Sequence, residues 1–349
     1  MKTLVKEKSL TATVLNIQRM STEDGPGIRT TVFFKGCGLS CQWCHNPESI
    51  SMKPQVQWVE TRCIGCRTCI KVCPEKALSA EPQGIAINRE QCTGCGICAE
   101  ECPSTAMELL GKKWELDDLI NEVEKDRAYF ESSDGGITAS GGDPTMQVNF
   151  VQAFLKGCRE RGMHTALDTC GLCAQKSLDA LLPHADLVLY DLKLMDPKLH
   201  ERFTGHTNER IQENLLHIRD HINSHKGVPE LWIRTPLIPG ATATDENILA
   251  IGRFIAENLN GVVRRWELCS FNNLCRDKYR RLGIDWAFKE SKLLEREFLE
   301  AITKTARESG VDPGIVSWSG ATRVTAEDIE AAEADSKPKL HLIKGCKSC

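Results

Sequence analysis

The chain carries no surplus of positive charge: 44 lysines and arginines stand against 48 aspartates and glutamates, a formal balance of −4 over 349 residues. That argues against the basic face that nucleic-acid binding requires. No apolar run approaches the roughly 20 residues of a membrane-spanning helix. The N-terminus, Met1-Lys2-Thr3-Leu4-Val5-Lys6-Glu7-Lys8, lacks the apolar core of a secretory signal. A cytoplasmic protein with no nucleic-acid or membrane partner is therefore expected. Hydrophobic residues at 41% and charged residues at 26% suit an ordinary globular chain, long enough for one large domain or two.

Against that background stand 18 cysteines. In a small secreted chain they would suggest disulfides. Clustered in a large chain without a leader, they point to metal. Cys37, Cys41 and Cys44 form a C-x3-C-x2-C loop. Three thiolates so close can hold three corners of an iron–sulfur cube and leave the fourth iron open to another ligand. A structural zinc site with His45 as fourth ligand fits the same spacing. Further on, Cys63, Cys66, Cys69 and Cys73 are spaced C-x2-C-x2-C-x3-C-P, and Cys92, Cys95, Cys98 and Cys102 repeat the pattern 29 residues later. This is the bacterial two-cluster ferredoxin run, in which the fourth cysteine of each run ligates the other cluster. One cube is expected on Cys63, Cys66, Cys69 and Cys102, the other on Cys92, Cys95, Cys98 and Cys73. Paired zinc knuckles are the alternative, and the prolines and the doubled run fit them less well. Two electron-transfer clusters also tilt the first loop toward iron–sulfur.

Around this insert, strands and helices alternate. Strands are expected over 12–17, 30–34, 136–140, 164–169, 185–193, 231–237 and 262–271, from β-branched or alternating stretches. Helices are expected over 114–129, 150–161, 178–182, 208–223 and 245–259, the last capped by Thr244 or Asp245. Such alternation implies a parallel sheet with right-handed crossovers. Beyond it, a helix from about 287 to 307, a strand at 314–318 and an acidic helix at 326–336 are expected.

The motif C-x3-C-x-aromatic-C resembles the radical S-adenosylmethionine (SAM) signature. Its flanks, Asp24-Gly25-Pro26-Gly27-Ile28-Arg29-Thr30-Thr31, Phe33-Phe34-Lys35-Gly36-Cys37 and Cys44-His45-Asn46-Pro47-Glu48, resemble the glycyl-radical enzyme activating enzymes of the pyruvate formate-lyase activase group. The resemblance covers about residues 12–285. It implies an α/β fold, a partial (β/α)6 barrel of the radical SAM type with an inserted two-[4Fe–4S] ferredoxin-like domain. The expected divisions are 1–53, the insert at 54–110, the rest of the barrel at 111–285, and an extension at 286–349.

The same resemblance implies three [4Fe–4S] clusters, SAM and a monovalent cation. Trp43 and His45 are placed with the cofactor beside the signature. Gly141-Gly142-Asp143-Pro144 is similar to the family's Gly-Gly-Glu-Pro loop for the methionine amino group. The shorter Asp143 puts its side-chain contact in question, and an ordinary strand-to-helix turn is the alternative. Asp168, Thr169, Asp191 and Lys193 match strand ends that hold the methionine moiety; a surface ion pair would look the same. Arg234 matches the strand arginine, whose guanidinium suits a carboxylate or ribose. Asn272 stands where many members have a histidine, with Lys278 as the lysine that follows. Cys158 is expected in the core, and Cys170, Cys173, Cys269 and Cys275 in packing. Cys346 and Cys349 form a terminal C-x2-C, read as a tail.

The implied activity is reductive cleavage of SAM to a 5′-deoxyadenosyl radical that takes a hydrogen atom from a glycine Cα of a partner glycyl-radical enzyme. The implied electron donor is a flavodoxin or ferredoxin, and the chain is expected to be a monomer. Family members with such an insert often serve dehydratases, decarboxylases and C–S or C–N cleaving enzymes. Two other readings stay open: a radical SAM enzyme acting on a small molecule or another peptide, and a non-catalytic electron carrier.

Overall fold

The computed structural model describes residues 10–226, 228–259 and 261–323. The expected acidic helix at 326–336 and Cys346 and Cys349 lie outside the described residues. Thirteen strands occur among those described: β1 (Thr11–Ser21), β2 (Arg29–Phe34), β3 (Gln55–Trp58), β4 (Leu78–Glu81), β5 (Gly84–Ile87), β6 (Met107–Leu110), β7 (Lys112–Glu115), β8 (Gly136–Gly141), β9 (His164–Thr169), β10 (Leu187–Asp191), β11 (Glu230–Leu237), β12 (Val263–Ser270) and β13 (Val316–Ser319). Nine form one sheet in the order β13-β12-β11-β10-β9-β8-β2-β1-β7. From β2 to β13 every neighbour is parallel, while β1 runs antiparallel to both β2 and β7. The insert is a separate unit closed by the β3–β6 pair and carrying a β4–β5 hairpin. This is the expected mixed α/β architecture with its ferredoxin-like insertion.

Strand alternation separates two cores. On the outer face, Val32, Phe34, Leu167, Val188, Tyr190, Ile233, Trp266 and Leu268 are buried against the helices. Phe34 packs edge-on to Phe150 and Phe154 of the helix Val148–Glu160, with ring centroids 6.1 Å apart in each case. That helix therefore fixes the strand from which the first cysteine loop departs. Cys158 is fully buried in the same core. The inner face has its own apolar layer of Ala166, Leu187, Leu189 and Trp232. One step further along the strands the inner residues become Asp168, Asp191, Arg234 and Glu267. Parallel pairing sets Asp191 beside Arg234 and Arg234 beside Glu267. The strands thus lay an apolar floor beneath a charged layer at their C-terminal ends, where α/β barrels carry their chemistry.

Several expected elements shift. The helix expected over 114–129 is a strand through Glu115, a helix Leu116–Glu124 and a second helix Arg127–Ser133. The break falls at Asp126, whose carboxylate accepts a 2.6 Å bond from the Thr30 hydroxyl and pairs with Arg19. A helix at Pro197–Thr204, opened by the Asp196 side chain on the Leu199 N–H, was not anticipated. The helix expected from 287 begins only at Arg296; residues before it fold against the cysteine loop through Trp286 and Phe288. Thr244, not Asp245, caps the helix Asp245–Asn258. The sheet also continues past residue 285, where β13 adds a seventh parallel strand. Among the described residues no helix is long and apolar enough to cross a membrane.

Candidate active site

The first cysteine loop leaves β2 and is tied down along its length. Gly36 and Cys37 donate their N–H groups to Ser49 O (2.7 Å) and Ile50 O (3.1 Å), and Gly36 O accepts from Asp143 N (2.7 Å). Ser40 N and Gln42 N bond Thr204 O and Phe203 O, at 2.8 and 3.0 Å. From the far side, the Tyr279 hydroxyl donates to Cys44 O (2.9 Å) and the Trp286 indole to Gln42 O (3.0 Å). Trp43 is buried between Phe203 and Phe288. It packs the loop rather than facing open space. His45 Nε2 bonds the Asn272 carbonyl at 2.9 Å, so Asn272 meets the loop through its backbone. Its side chain accepts from Leu274 N. Lys278 does not reach the strand-end acids. It donates to Glu48 Oε1, Asn46 Oδ1 and His45 O, at 2.8, 2.7 and 3.1 Å. Sequence reasoning missed Tyr279 and Trp286 as clamps on the loop, because nothing local marks a contact across more than 200 residues.

Burial pushes the Cys41 thiol up to about 11, and Cys44 is raised further for the same reason. A hydrogen bond with Cys170 lowers Cys37. Thiols this buried stay protonated unless a cation displaces the proton, and coordination to a metal does so outright. A cluster on Cys37, Cys41 and Cys44 therefore suits the chemistry of the donor set.

Gly141 and Gly142 bring backbone against backbone. A Cβ on Gly141 would lie 2.3 Å from Phe34 N and O, and one on Gly142 would lie 2.2 Å from Gly36 O. The two glycines thus press their strand end onto the cysteine loop. Asp143 is 1% exposed. Its carboxylate accepts from Thr145 N (2.9 Å), Thr145 Oγ1 (2.6 Å), Thr169 Oγ1 (2.9 Å), Cys170 N (3.0 Å) and Cys170 Sγ (2.9 Å). Both oxygens are occupied within the protein, so the loop is an internal brace between β8, β9 and the cysteine loop.

The charged layer lies beside this brace. Ser140 donates to Asp168 at 2.6 Å, and Arg234 lies 3.6 Å from Asp168 and 3.7 Å from Glu267. Burial pushes the Asp168 carboxyl up to about 7, against the pull of Arg234. Lys193 contacts Asp191 at 2.5 Å. Burial opposes its charge, but Asp191, Cys41 and Cys170 outweigh burial and raise its pKa. Arg234 Nε is buried without a hydrogen-bond partner. That donor has only Glu267 Oε2 near it, at 3.7 Å and beyond hydrogen-bond reach, and a bound zwitterion would complete it. Glu267 was not singled out in the sequence. Its signal was its place in the alternation of β12, two residues from Arg265 and Cys269 on the same face.

The ferredoxin runs meet crosswise. Cys73 joins Cys92, Cys95 and Cys98 around one small cavity walled by Val56, Pro74 and Leu78. Around Cys69 lie Cys102, Cys63 and Cys66. Among the described residues no three metal-binding side chains converge on a single ion.

Comparison with known proteins accords with this geometry. Residues 86–251 match the Radical SAM superfamily, residues 62–106 a 4Fe-4S dicluster domain and residues 23–75 a 4Fe-4S single cluster domain. The chain is 40% identical to the trans-4-hydroxy-L-proline dehydratase activating enzyme of Clostridioides difficile, over 83% of its own length and 94% of that protein. It is 36% identical to the (2S)-3-sulfopropanediol dehydratase activating enzyme of Klebsiella oxytoca, over 84% and 92%. It is 40% identical to the isethionate sulfite-lyase activating enzyme of Oleidesulfovibrio alaskensis, over 88% and 98%. The chain belongs to the radical SAM superfamily, among its glycyl-radical enzyme activating enzymes.

Proposed function

We propose that this chain generates a glycyl radical in a partner enzyme, using a cluster on Cys37, Cys41 and Cys44 and two relay clusters on the crossed ferredoxin runs. When bound, the first cluster and SAM supply one-electron cleavage of the sulfonium to methionine and a 5′-deoxyadenosyl radical, which takes hydrogen from a glycine Cα. The chain's own residues bind and orient. Arg234 and Lys193 would hold the carboxylate of the methionine moiety. Asp168 and Asp191 would face its ammonium, with a monovalent cation among these acids as the family implies. Tyr279, Trp286 and Lys278 keep the cysteine loop from moving relative to that layer. The observation that carries this reading is the buried Arg234 Nε, without a hydrogen bond and 3.7 Å from Glu267, inside a charged layer beside the cysteine loop.

The three relatives above name a trans-4-hydroxy-L-proline dehydratase, a (2S)-3-sulfopropanediol dehydratase and an isethionate sulfite-lyase, so their similarity supports a partner class and not one metabolite. We assign the partner as a glycyl-radical enzyme, the donor as a cytoplasmic electron-carrier protein and the chain as a monomer. The test is anaerobic reconstitution, reduction by dithionite and addition of SAM. About 12 iron per chain and formation of 5′-deoxyadenosine are expected. The Cys37→Ala/Cys41→Ala/Cys44→Ala variant should keep about 8 iron and cleave nothing. Intact SAM in the fully loaded wild type would sink the activase reading and favour an electron carrier.

A further inference from the structure

The two ferredoxin runs repeat one motif and expose Cys66 and Cys95 alike, yet their surroundings differ. In the first run, Ile64 is 68% exposed and a Cβ on Gly65 would meet nothing within 4 Å. In the second run, the matching Gly94 is buried, and a Cβ there would strike Pro54 O at 2.1 Å. Gly96, Ala99 and Glu100 of the second run line a cavity of about 730 Å³ whose other wall includes Asn46 and Glu48, just past Cys44. One side of the second run, at Gly96, Ala99 and Glu100, thus lies toward the catalytic loop, while Ile64 and Gly65 of the first run face outward.

Charge follows the same division. Residues 60–76 hold four basic and two acidic side chains, while the equivalent residues 89–105 hold one basic and three acidic. Lys71 stands where the second run has Glu100, and Arg67 where it has Gly96. Arg67 and Lys71 are exposed one turn apart at the helix Thr68–Val72. Neither has an acidic partner among the described residues, whereas Arg62 is paired with Glu108. The first run therefore presents an apolar tip beside two unpaired cations. An interface of that kind recruits a partner of opposite charge and speeds its encounter.

We infer that the first cysteine run is the electron entry face, and that its occupant is an acidic one-electron carrier protein seated on Ile64, Arg67 and Lys71. This rests on the activase reading only for the electron's destination. In the step, one electron leaves the reduced carrier and enters an oxidised cube of the first run; no bond forms or breaks. The electron then passes to the second run and on toward Cys37, Cys41 and Cys44.

The test uses the reconstituted full chain and a reduced, acidic plant-type [2Fe–2S] ferredoxin, mixed rapidly in buffers of rising ionic strength. The rate of ferredoxin oxidation should fall at least roughly ten-fold in Arg67→Glu/Lys71→Glu at low salt, and the wild-type rate should fall steeply with salt. Iron content and dithionite-driven SAM cleavage should match the wild type. A control, Lys156→Glu/Lys304→Glu, makes the same change in net charge on the helices Val148–Glu160 and Arg296–Arg307, outside both ferredoxin runs, and should keep the wild-type rate. An equal loss in the control, an unchanged rate in the first variant, or no oxidation of ferredoxin by the wild type would each overturn the inference. Failure of dithionite-driven SAM cleavage in the wild type would instead strike the activase reading, leaving the ferredoxin rates to judge the docking face.

Discussion

Asp143 offers the sharpest test of how the site is built. If it contacts SAM directly, its loss should weaken SAM binding and leave the fold alone. The structure gives it a different task. Its carboxylate, 1% exposed, takes hydrogen bonds from Thr145 N and Oγ1, Thr169 Oγ1, and Cys170 N and Sγ. A hydrogen bond to a charged group contributes roughly 1.5–3 kcal/mol, but bonds sharing one carboxylate do not add fully. Removing the carboxylate leaves several buried neutral donors unsatisfied, at about 1–3 kcal/mol each and not fully additive, for a total of about 3–5 kcal/mol. Asp143→Ala should therefore lose about that much stability, and the melting temperature should fall by roughly 6–20 °C at about 2–4 °C per kcal/mol. The cysteine loop should loosen too, because Asp143 N holds Gly36 O at 2.7 Å and Cys170 touches Cys37. Iron retained after gel filtration should drop toward the 8 of the two ferredoxin cubes. Asp143→Glu restores the family residue but inserts a methylene into a filled space, at about 1–3 kcal/mol. The assays are thermal unfolding followed by circular dichroism, iron analysis and SAM titration, all under anaerobic conditions. A variant with wild-type melting and iron but a weakened SAM affinity would refute the bracing argument and return Asp143 to the ligand.

Two further outcomes follow from the geometry. The crossed arrangement predicts that Cys73→Ala and Cys92→Ala remove the same electron paramagnetic resonance signal, while Cys63→Ala and Cys102→Ala together remove the other; pairing within each run would reverse the grouping of Cys73 and Cys102. Asp168 should make stability fall with rising pH before SAM binds. Its carboxyl is raised from 3.8 to about 7 by burial, so between those values the folded chain holds a proton that the unfolded chain has lost. The stability it contributes is complete below pH 4 and is lost as pH rises through 7, by at most about 4 kcal/mol at 1.36 kcal/mol per unit. Asp168→Asn should flatten denaturant midpoints measured between pH 5 and 8, and an unchanged slope would count against the buried proton.

What the sequence made legible is what it encodes over short distances. Cysteine spacing fixes which sulfurs can share a cluster, so three groups of thiols stood out before any fold was known. The stretches 231–237 and 262–271 marked strands, and with them the strand end that carries Arg234. What stayed hidden depends on pairs far apart in the chain. The helix break at Asp126 requires a hydroxyl from Thr30 and a guanidinium from Arg19, neither of which a helical window contains. The clamp on the cysteine loop requires Tyr279 and Trp286, more than 200 residues from the carbonyls they bond. Lys278 matched the lysine that the family resemblance places after Asn272, and its ammonium is taken by Glu48, Asn46 and His45. Glu267 became visible only when parallel register set it beside Arg234. These hidden residues share one property: they orient groups that the motifs already name. Cysteines, glycines and strand-end charges specify which chemistry is possible. The distant clamps specify where the cysteine loop sits relative to Arg234 and Lys193. A radical reaction depends on that placement, because misplacing the reacting centre by about an ångström can cost 100-fold in rate.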